Sequence, residues 1–195
     1  MKFYVLVLVA LTVFLPFKGL AQTRPGIKFG LNRSTISKTT LDSKNGIYLG
    51  GLLDIPLGKF YTLQPEVFYS AQGGSSNSPE YDDVNVHYLS LAASNKLYLT
   101  QTKALHFIAG LGFDINLKNN FISLSNGNGD GEISPVDPVV FGGVGYEFDF
   151  GLIVEARYKQ GTASIDFFGR DDLYEEDGSQ LNMVIQMGLA YKFKR

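Results

Sequence analysis

Between Leu181 and Phe193 large apolar residues hold every second position, and mostly polar or small ones lie between them. Leu181, Met183, Ile185, Met187, Leu189, Tyr191 and Phe193 fall on one parity, and Asn182, Val184, Gln186, Gly188, Ala190 and Lys192 on the other. A two-residue period describes a strand with one greasy face and one polar or small face. Most strands of globular proteins are about 5–6 residues long, whereas a tilted membrane-crossing strand needs about 9–11. This segment has the length of the second kind. The same period recurs upstream and predicts strands near 26–33, 46–56, 61–71, 86–100, 104–115, 138–149, 151–160 and 180–193.

The connections between these strands alternate in length. Pro56–Phe60, Thr100–Lys103 and Asp149–Gly151 read as tight turns. The segments near 34–45, 72–85, 116–137 and 161–179 are longer and rich in Gly, Ser, Asn and Asp. Short turns on one side and long loops on the other describe an outer-membrane barrel, with the long connections extracellular. An even strand count puts both termini on the periplasmic side. A soluble lipocalin-like barrel would show the same period turned inside out, so two further features are needed to choose. The polar face is small: Gly30, Gly50, Ser90, Ala92, Ser94, Gly110, Gly112, Gly143, Gly145, Gly188 and Ala190 lie on it. Small residues suit the inside of a barrel of about eight strands, where there is little more than side-chain room; a water-facing surface would avoid so much glycine. The apolar face carries aromatics near strand ends. Tyr69, Phe113 and Tyr158 lie towards the long loops, and Phe107, Tyr146, Phe148, Tyr191 and Phe193 towards the turns. Two such belts match the aromatic girdles of the membrane interfaces.

The N-terminus reads as a secretory signal over residues 1–21: Lys2, an apolar run from Phe3 to Leu15, Pro16, and the small-x-small site Gly19-Leu20-Ala21 before Gln22. The run is shorter than the about 20 residues that a membrane helix needs. Residues 22–195 then form one barrel domain. The fold class expected is all-β: a single antiparallel up-and-down transmembrane barrel of about eight strands. The chain has no Cys, which excludes disulfides, a thiol nucleophile and a lipid-modified cysteine. A net charge of −2 gives no electrostatic support for a nucleic-acid partner.

Several stretches resemble a known family. Gly26-Ile-Lys-Phe-Gly-Leu-Asn32, Leu63-Gln-Pro-Glu-Val-Phe-Tyr-Ser70, Leu152-Ile-Val-Glu-Ala-Arg-Tyr158 and Gly188-Leu-Ala-Tyr-Lys-Phe193 are similar to the PorT-like outer-membrane β-barrel family of Bacteroidetes-type bacteria. The resemblance covers essentially the whole mature chain. It implies an outer-membrane location and, by analogy with PorT, a component of a protein secretion and gliding apparatus. The aromatic Phe193, trailed by Lys194 and Arg195, is the candidate signal for the barrel insertion machinery.

Charged residues on the polar face need an account, because burying charge is costly unless it is paired and hydrogen-bonded. Lys28, Glu66, Lys96, Glu147, Glu155, Arg157 and Lys159 are expected to form an interior ion-pair network, with Gln64 beside Glu66; the sharper readings are an ion path or a catalytic carboxylate. Only His87 and His106 could act as neutral-pH bases, and they fall at opposite ends of the barrel, so no enzyme is expected. The segment Asn126–Asp137 has a calcium-loop register, with Asn126, Asn128 and Asp130 at positions 1, 3 and 5, Gly131 at 6, Glu132 next, and Asp137 at 12. Weak Ca²⁺ binding is the one cofactor expectation; turn-making Asn-Gly and Asp-Gly pairs are the plainer reading. Asp166, Asp171, Asp172, Glu175, Glu176 and Asp177 form an acidic loop that is either solvated or able to bridge cations to lipid phosphates. Gly142-Gly-Val-Gly145 lies in a strand pattern and is no dinucleotide fingerprint. The functions left open are a non-catalytic structural or interaction barrel, a small pore, a PorT-like secretion component and a soluble binding barrel. The expected partners are outer-membrane lipids, the insertion machinery and an extracellular or secretion-system protein.

Overall fold

The period of two is realised as eight antiparallel strands closed into one barrel. The computed structural model describes residues 23–76, 83–102, 104–117, 135–163 and 180–193. The strands are β1 (Arg24–Ile36), β2 (Asp42–Pro56), β3 (Tyr61–Ser75), β4 (Val84–Tyr98), β5 (Leu105–Asn116), β6 (Val136–Glu147), β7 (Leu152–Gly161) and β8 (Asn182–Lys192). Each pairs with its sequence neighbours, and β1 pairs with β8 from Gly26↔Lys192 to Ile36↔Asn182. Closure leaves no unpaired edge, the condition a β-structure must meet in hydrocarbon. The expected signal segment and the acidic loop lie outside the described residues.

The turn end is tight, as the spacing predicts. The amides of Leu57 and Gly58 both donate to Tyr61 O, at 3.2 and 3.1 Å, and the Phe148 amide donates to Leu152 O at 2.8 Å. Gly151 has φ +97°, a conformation only glycine takes without strain. Its carbonyl accepts from the Lys192 amide at 3.0 Å and ties the β6–β7 turn to the last strand.

The ladders run further at the loop end than expected. β1 continues to Ile36, β2 starts at Asp42, β3 reaches Ser75 and β4 starts at Val84, so much of 34–45 and part of 72–85 is strand. Those stretches are rich in Ser, Gly and Asn, which a sequence reading assigns to loops, but a paired partner overrides local preference. Gly73, at φ +140°, serves this extension: a Cβ there would lie 2.0 Å from Val84 O. β6 likewise begins two residues early, which places Asp137 in a strand.

Alternation sorts the faces cleanly. Along β3, Thr62, Gln64, Glu66, Phe68, Ser70 and Gln72 are buried inside, while Val67 between them faces out. Leu31, Leu111 and Met187 are 65, 67 and 61% exposed, and Phe29, Leu49, Phe107, Phe113, Val144 and Ile185 join them around the wall. So large an apolar surface marks a membrane-facing wall. It also sets aside the soluble lipocalin-like reading, which needs that face inside. At the turn end Tyr146, Phe148 and Phe150 pack in succession at 4.9 and 5.5 Å between ring centroids, with Tyr191 and Phe193 at 5.7 Å. Both aromatic belts expected from the pattern are outward.

The interior is not small throughout. Tyr48, Phe68, Tyr88, Tyr98 and Phe141 point inward and are buried. The glycines face them: a Cβ on Gly188 would meet Tyr48 Oη at 2.2 Å, one on Gly110 would meet Phe141 Cζ at 2.2 Å, and one on Gly145 would meet His106 Nε2 at 2.4 Å. Small residues therefore make room for large ones across the lumen, as dense packing of a narrow barrel demands.

Candidate functional site: an ionic plug in the barrel interior

At the middle of the barrel β3 and β7 face each other across the lumen, and each presents a carboxylate at an inward position, Glu66 and Glu155. Arg157 of β7 lies between them. Its guanidinium forks onto Glu66, Nη1 to Oε2 at 2.9 Å and Nη2 to Oε1 at 2.8 Å, and Nη2 also reaches Glu155 Oε2 at 2.5 Å. Lys28 of β1 donates to Glu66 Oε2 at 2.6 Å and Lys96 of β4 to Glu155 Oε1 at 2.6 Å. Gln64 and Ser94 complete the shell of Glu66 Oε1 at 2.7 and 2.6 Å. All five charged side chains are almost wholly buried. Bidentate, charge-assisted bonds are the strong kind, and desolvated charges are tolerable only when fully satisfied in this way. Aromatic faces add to the shell: Lys28 Nζ lies 4.5 Å from the Phe68 ring centroid and the Arg157 guanidinium 5.5 Å from that of Phe141.

Two further ionic groups flank this plug. Towards the turns, Lys192 bonds Glu147 at 2.6 Å and Asp54 at 3.3 Å, and the Tyr98 hydroxyl donates to Glu147 at 3.2 Å. Towards the loops, Lys159 bonds Asp114 at 2.6 Å, and Ser90 and Gln72 donate to the same carboxylate. A neutral layer lies beside it, in which Gln186 donates to Asn32, Asn32 to Ser70, and Asn182 to Gln72.

Of the residues the sequence singled out, Lys28, Glu66, Lys96, Glu155 and Arg157 come together. Glu147 does not join them; it belongs to the Lys192 group. Asp54 and Asp114 are not among the residues that the sequence singles out, although alternation puts Asp54 on the face of Gly50 and Asp114 on the face of Gly110 and Gly112. The histidines face opposite ways as well as lying at opposite ends. His106 is inside, with Nδ1 3.2 Å from Ala104 O and Nε2 3.8 Å from Glu155, and packs 4.9 Å from the Tyr98 ring. His87 is on the outer wall, where Nδ1 meets the Tyr69 hydroxyl at 2.5 Å.

Of the calcium-loop set, Asn126, Asn128, Asp130 and Glu132 lie outside the described residues. Asp137 is the second residue of β6 and points inward. Its Oδ1 accepts from the Thr162 and Ala163 amides, both at 2.9 Å, which caps the loop end of β7. Among the described residues no group of three His, Asp or Glu gathers as metal ligands would. The candidate signal aromatic, Phe193, faces outward and its amide donates to Pro25 O at 2.9 Å.

Outside the spans, Asp83 joins the extended ends of β2 and β3. Hydrogen bonds from the Lys44 ammonium, the Ser76 amide and the Ser75 hydroxyl, at 2.8, 3.0 and 2.9 Å, hold its carboxyl down at about 2, the Lys44 bond first among them.

The chain is similar in fold to outer-membrane barrels of known structure. Neisserial surface protein A matches over 88% of this chain and 97% of its own, with 12% identity and a TM-score of 0.51. The outer membrane protein Ail of Yersinia pestis, in a phospholipid bilayer nanodisc, matches over 87% and 99%, with 15% identity and a TM-score of 0.51. No curated protein sequence matches the chain significantly. Residues 20–166 fit a family profile, and with the outward apolar wall and the closed eight-strand ladder this places the protein in the outer membrane: the chain belongs to the outer membrane protein beta-barrel domain family.

Proposed function

We propose that this outer-membrane barrel is non-catalytic and non-conducting, a rigid support that presents its long loops outside the cell for interaction with a partner. The observation that carries the reading is the Glu66–Arg157–Glu155 plug, tied to both sides of the lumen through Lys28 and Lys96. An ion crossing the barrel would have to break a buried fork whose acceptors are all engaged. With the lumen closed, the surfaces left for function are the wall, which meets lipid, and the loops, where binding sits when a rigid scaffold holds them.

Planar-bilayer recording tests it. The purified barrel is expected to give no discrete conductance steps. Steps that change on Glu155→Gln or Arg157→Gln would replace this reading with the pore. The interaction role is checked by replacing residues 118–134 and 164–179 with short Gly-Ser turns, which should leave the folded barrel intact while abolishing the phenotype of the native loops. A finer reading, a PorT-like component of a secretion apparatus, rests on the resemblance of Gly26–Asn32, Leu63–Ser70, Leu152–Tyr158 and Gly188–Phe193. It expects cargo to accumulate in the periplasm of a deletion strain. Weak Ca²⁺ binding at 126–137 would show as Ca²⁺-dependent stabilisation that Asp130→Ala removes.

A further inference from the structure

Among the described strands only the β2–β3 ladder changes register. Followed from the turns it runs as far as Tyr48↔Ser70 and resumes at Ser43↔Gly74, so residues 44–47 of β2 stand against 71–73 of β3 with one residue in excess. The ladders on either side are unbroken here: β1–β2 continues to Ser34↔Lys44 and β3–β4 to Gly74↔Val84. Across the slip, β1 reaches past β2 to β3. The Asn32 side-chain amide donates to Ser70 Oγ and Ala71 O at 2.9 and 2.8 Å, and the Ser34 hydroxyl donates to Gly73 O at 2.8 Å and accepts from the Gly73 amide at 2.9 Å. Two strand spacings, about 9.5 Å, ordinarily separate such strands. Gly46 makes the reach possible, because a Cβ there would lie 2.2 Å from Ala71 O.

Beyond the slip little closes the corner. Two ladder pairs, Ser43↔Gly74 and Asp42↔Ser75, lie beside a single clasp, in which Asp83 takes the Lys44 ammonium on one oxygen and Ser75 and Ser76 on the other. The clasp joins the β1–β2 hairpin to the β3–β4 hairpin, and it is partly exposed, where an ion pair contributes little. A wall in hydrocarbon has to keep its backbone paired; at the rim, where water begins, it does not. We propose that the loop end of the β1–β2 hairpin is a hinged flap, latched by Lys44 and Asp83, which parts from β3 along residues 44–47 and lays Asn32, Ser34 and Ser70 open to the side of the barrel. The hinge is the β1–β8 ladder, which continues to Ile36↔Asn182. The opening ends where regular pairing resumes at Tyr48↔Ser70, with the inward side chains of Tyr48 and Phe68 buried beneath it. The plug lies below these rings, so the flap gives lateral access to the loop-side interior and makes no channel. A rim segment held by a few polar contacts is the kind that opens by itself while the rest of the fold stays shut.

Single-cysteine labelling in lipid nanodiscs tests the flap, since the native chain has no cysteine. Ser70→Cys, at a wholly buried position, is expected to react slowly with a charged thiol reagent, and about ten-fold faster once Asp83→Asn removes the latch. Val139→Cys, buried inside on β6 at the loop end, is expected to stay protected in both backgrounds. Equal labelling of the two would mean entry through the loop mouth, and no acceleration at Ser70→Cys would mean that Asp83 latches nothing; either result overturns the proposal. Hydrogen exchange gives a second readout that needs no added cysteine. The Gly73 amide bonds Ser34 and the Ser76 amide bonds Asp83. If the corner moves as one flap, Asp83→Asn speeds exchange at Gly73 about ten-fold along with Ser76, while the amides from Tyr48 to Leu52 keep their native rates. Acceleration confined to Ser76 would leave a local clasp and no flap.

Discussion

Arg157 couples the two halves of the plug, because its guanidinium is the one group among the described residues that forms ion pairs with both buried carboxylates. Glu66→Gln leaves Arg157 and Lys28 short of their shared carboxylate. Breaking a buried pair in this way costs about 3–5 kcal/mol, which a urea titration of the folded barrel in detergent or lipid should show. Glu66→Met with Arg157→Met should cost less than the two single losses together, since it removes Arg157 along with its acceptor and leaves only Lys28 without its carboxylate; a double-mutant cycle measures the coupling. The membership of this site was legible only in part. Alternation put Lys28, Glu66, Lys96, Glu155 and Arg157 on one face, and the cost of buried charge predicted that they pair. Which pairs form was hidden, because partners meet across the lumen: Glu66 and Arg157 are 91 positions apart, and register along one strand says nothing of what stands opposite through the bore. For the same reason alternation puts Glu147 on the interior face without showing that its partner is Lys192. Asp54 and Asp114 were missed because single carboxylates near strand ends look like the polar flank of a turn or loop.

At the level of strands, the extended β2–β4 corner is held outside the membrane by Asp83, and its pH response follows from the sign of the shift. The folded carboxyl titrates near 2, below the ordinary Asp value, so its contribution is present above the ordinary value and fades as pH falls towards 2. Relative to its intrinsic exchange rate, the Ser76 amide that donates to Asp83 should exchange slowly at neutral pH and become fast only below about pH 4. Asp83→Asn should give the fast pattern throughout. The pair is exposed, so global stability should barely change. This corner also shows where strand boundaries escape the sequence. The apolar period stops where lipid stops, but the hydrogen-bonded ladder does not. Ser34, Lys44 and Gly73 to Ser75 continue pairing in water with no greasy parity to announce it. Inside the membrane, where a slip of one residue would turn every polar side chain to lipid, the expected and observed strands agree to within a few residues.

For the molecule as a whole, a closed ladder with polar filling and an apolar wall should resist detergent until the lumen is broken. The unboiled protein is expected to migrate as a compact, faster band on electrophoresis and to shift on boiling; recovery from the soluble periplasmic fraction with no shift would contradict the membrane assignment. The seam between β1 and β8 should be its most sensitive line. Gly30 pairs with Gly188 there, and a Cβ on Gly188 would lie 2.3 Å from Phe29 O as well as against the Tyr48 hydroxyl. Gly188→Ala should cost about 1–3 kcal/mol through overpacking, seen as loss of the compact band at lower temperature. That seam also has a kinetic meaning. Every other pair of strands joins neighbours along the chain, but β1 and β8 must find each other from opposite ends, and the Asn32–Gln186 bond that spans them links residues 154 positions apart. The closure entropy of so long a loop falls on this one step. Substitutions that crowd the seam should therefore slow folding more than they speed unfolding, and make the half-closed sheet, with Tyr48 still outside its glycine notch, the species that waits longest.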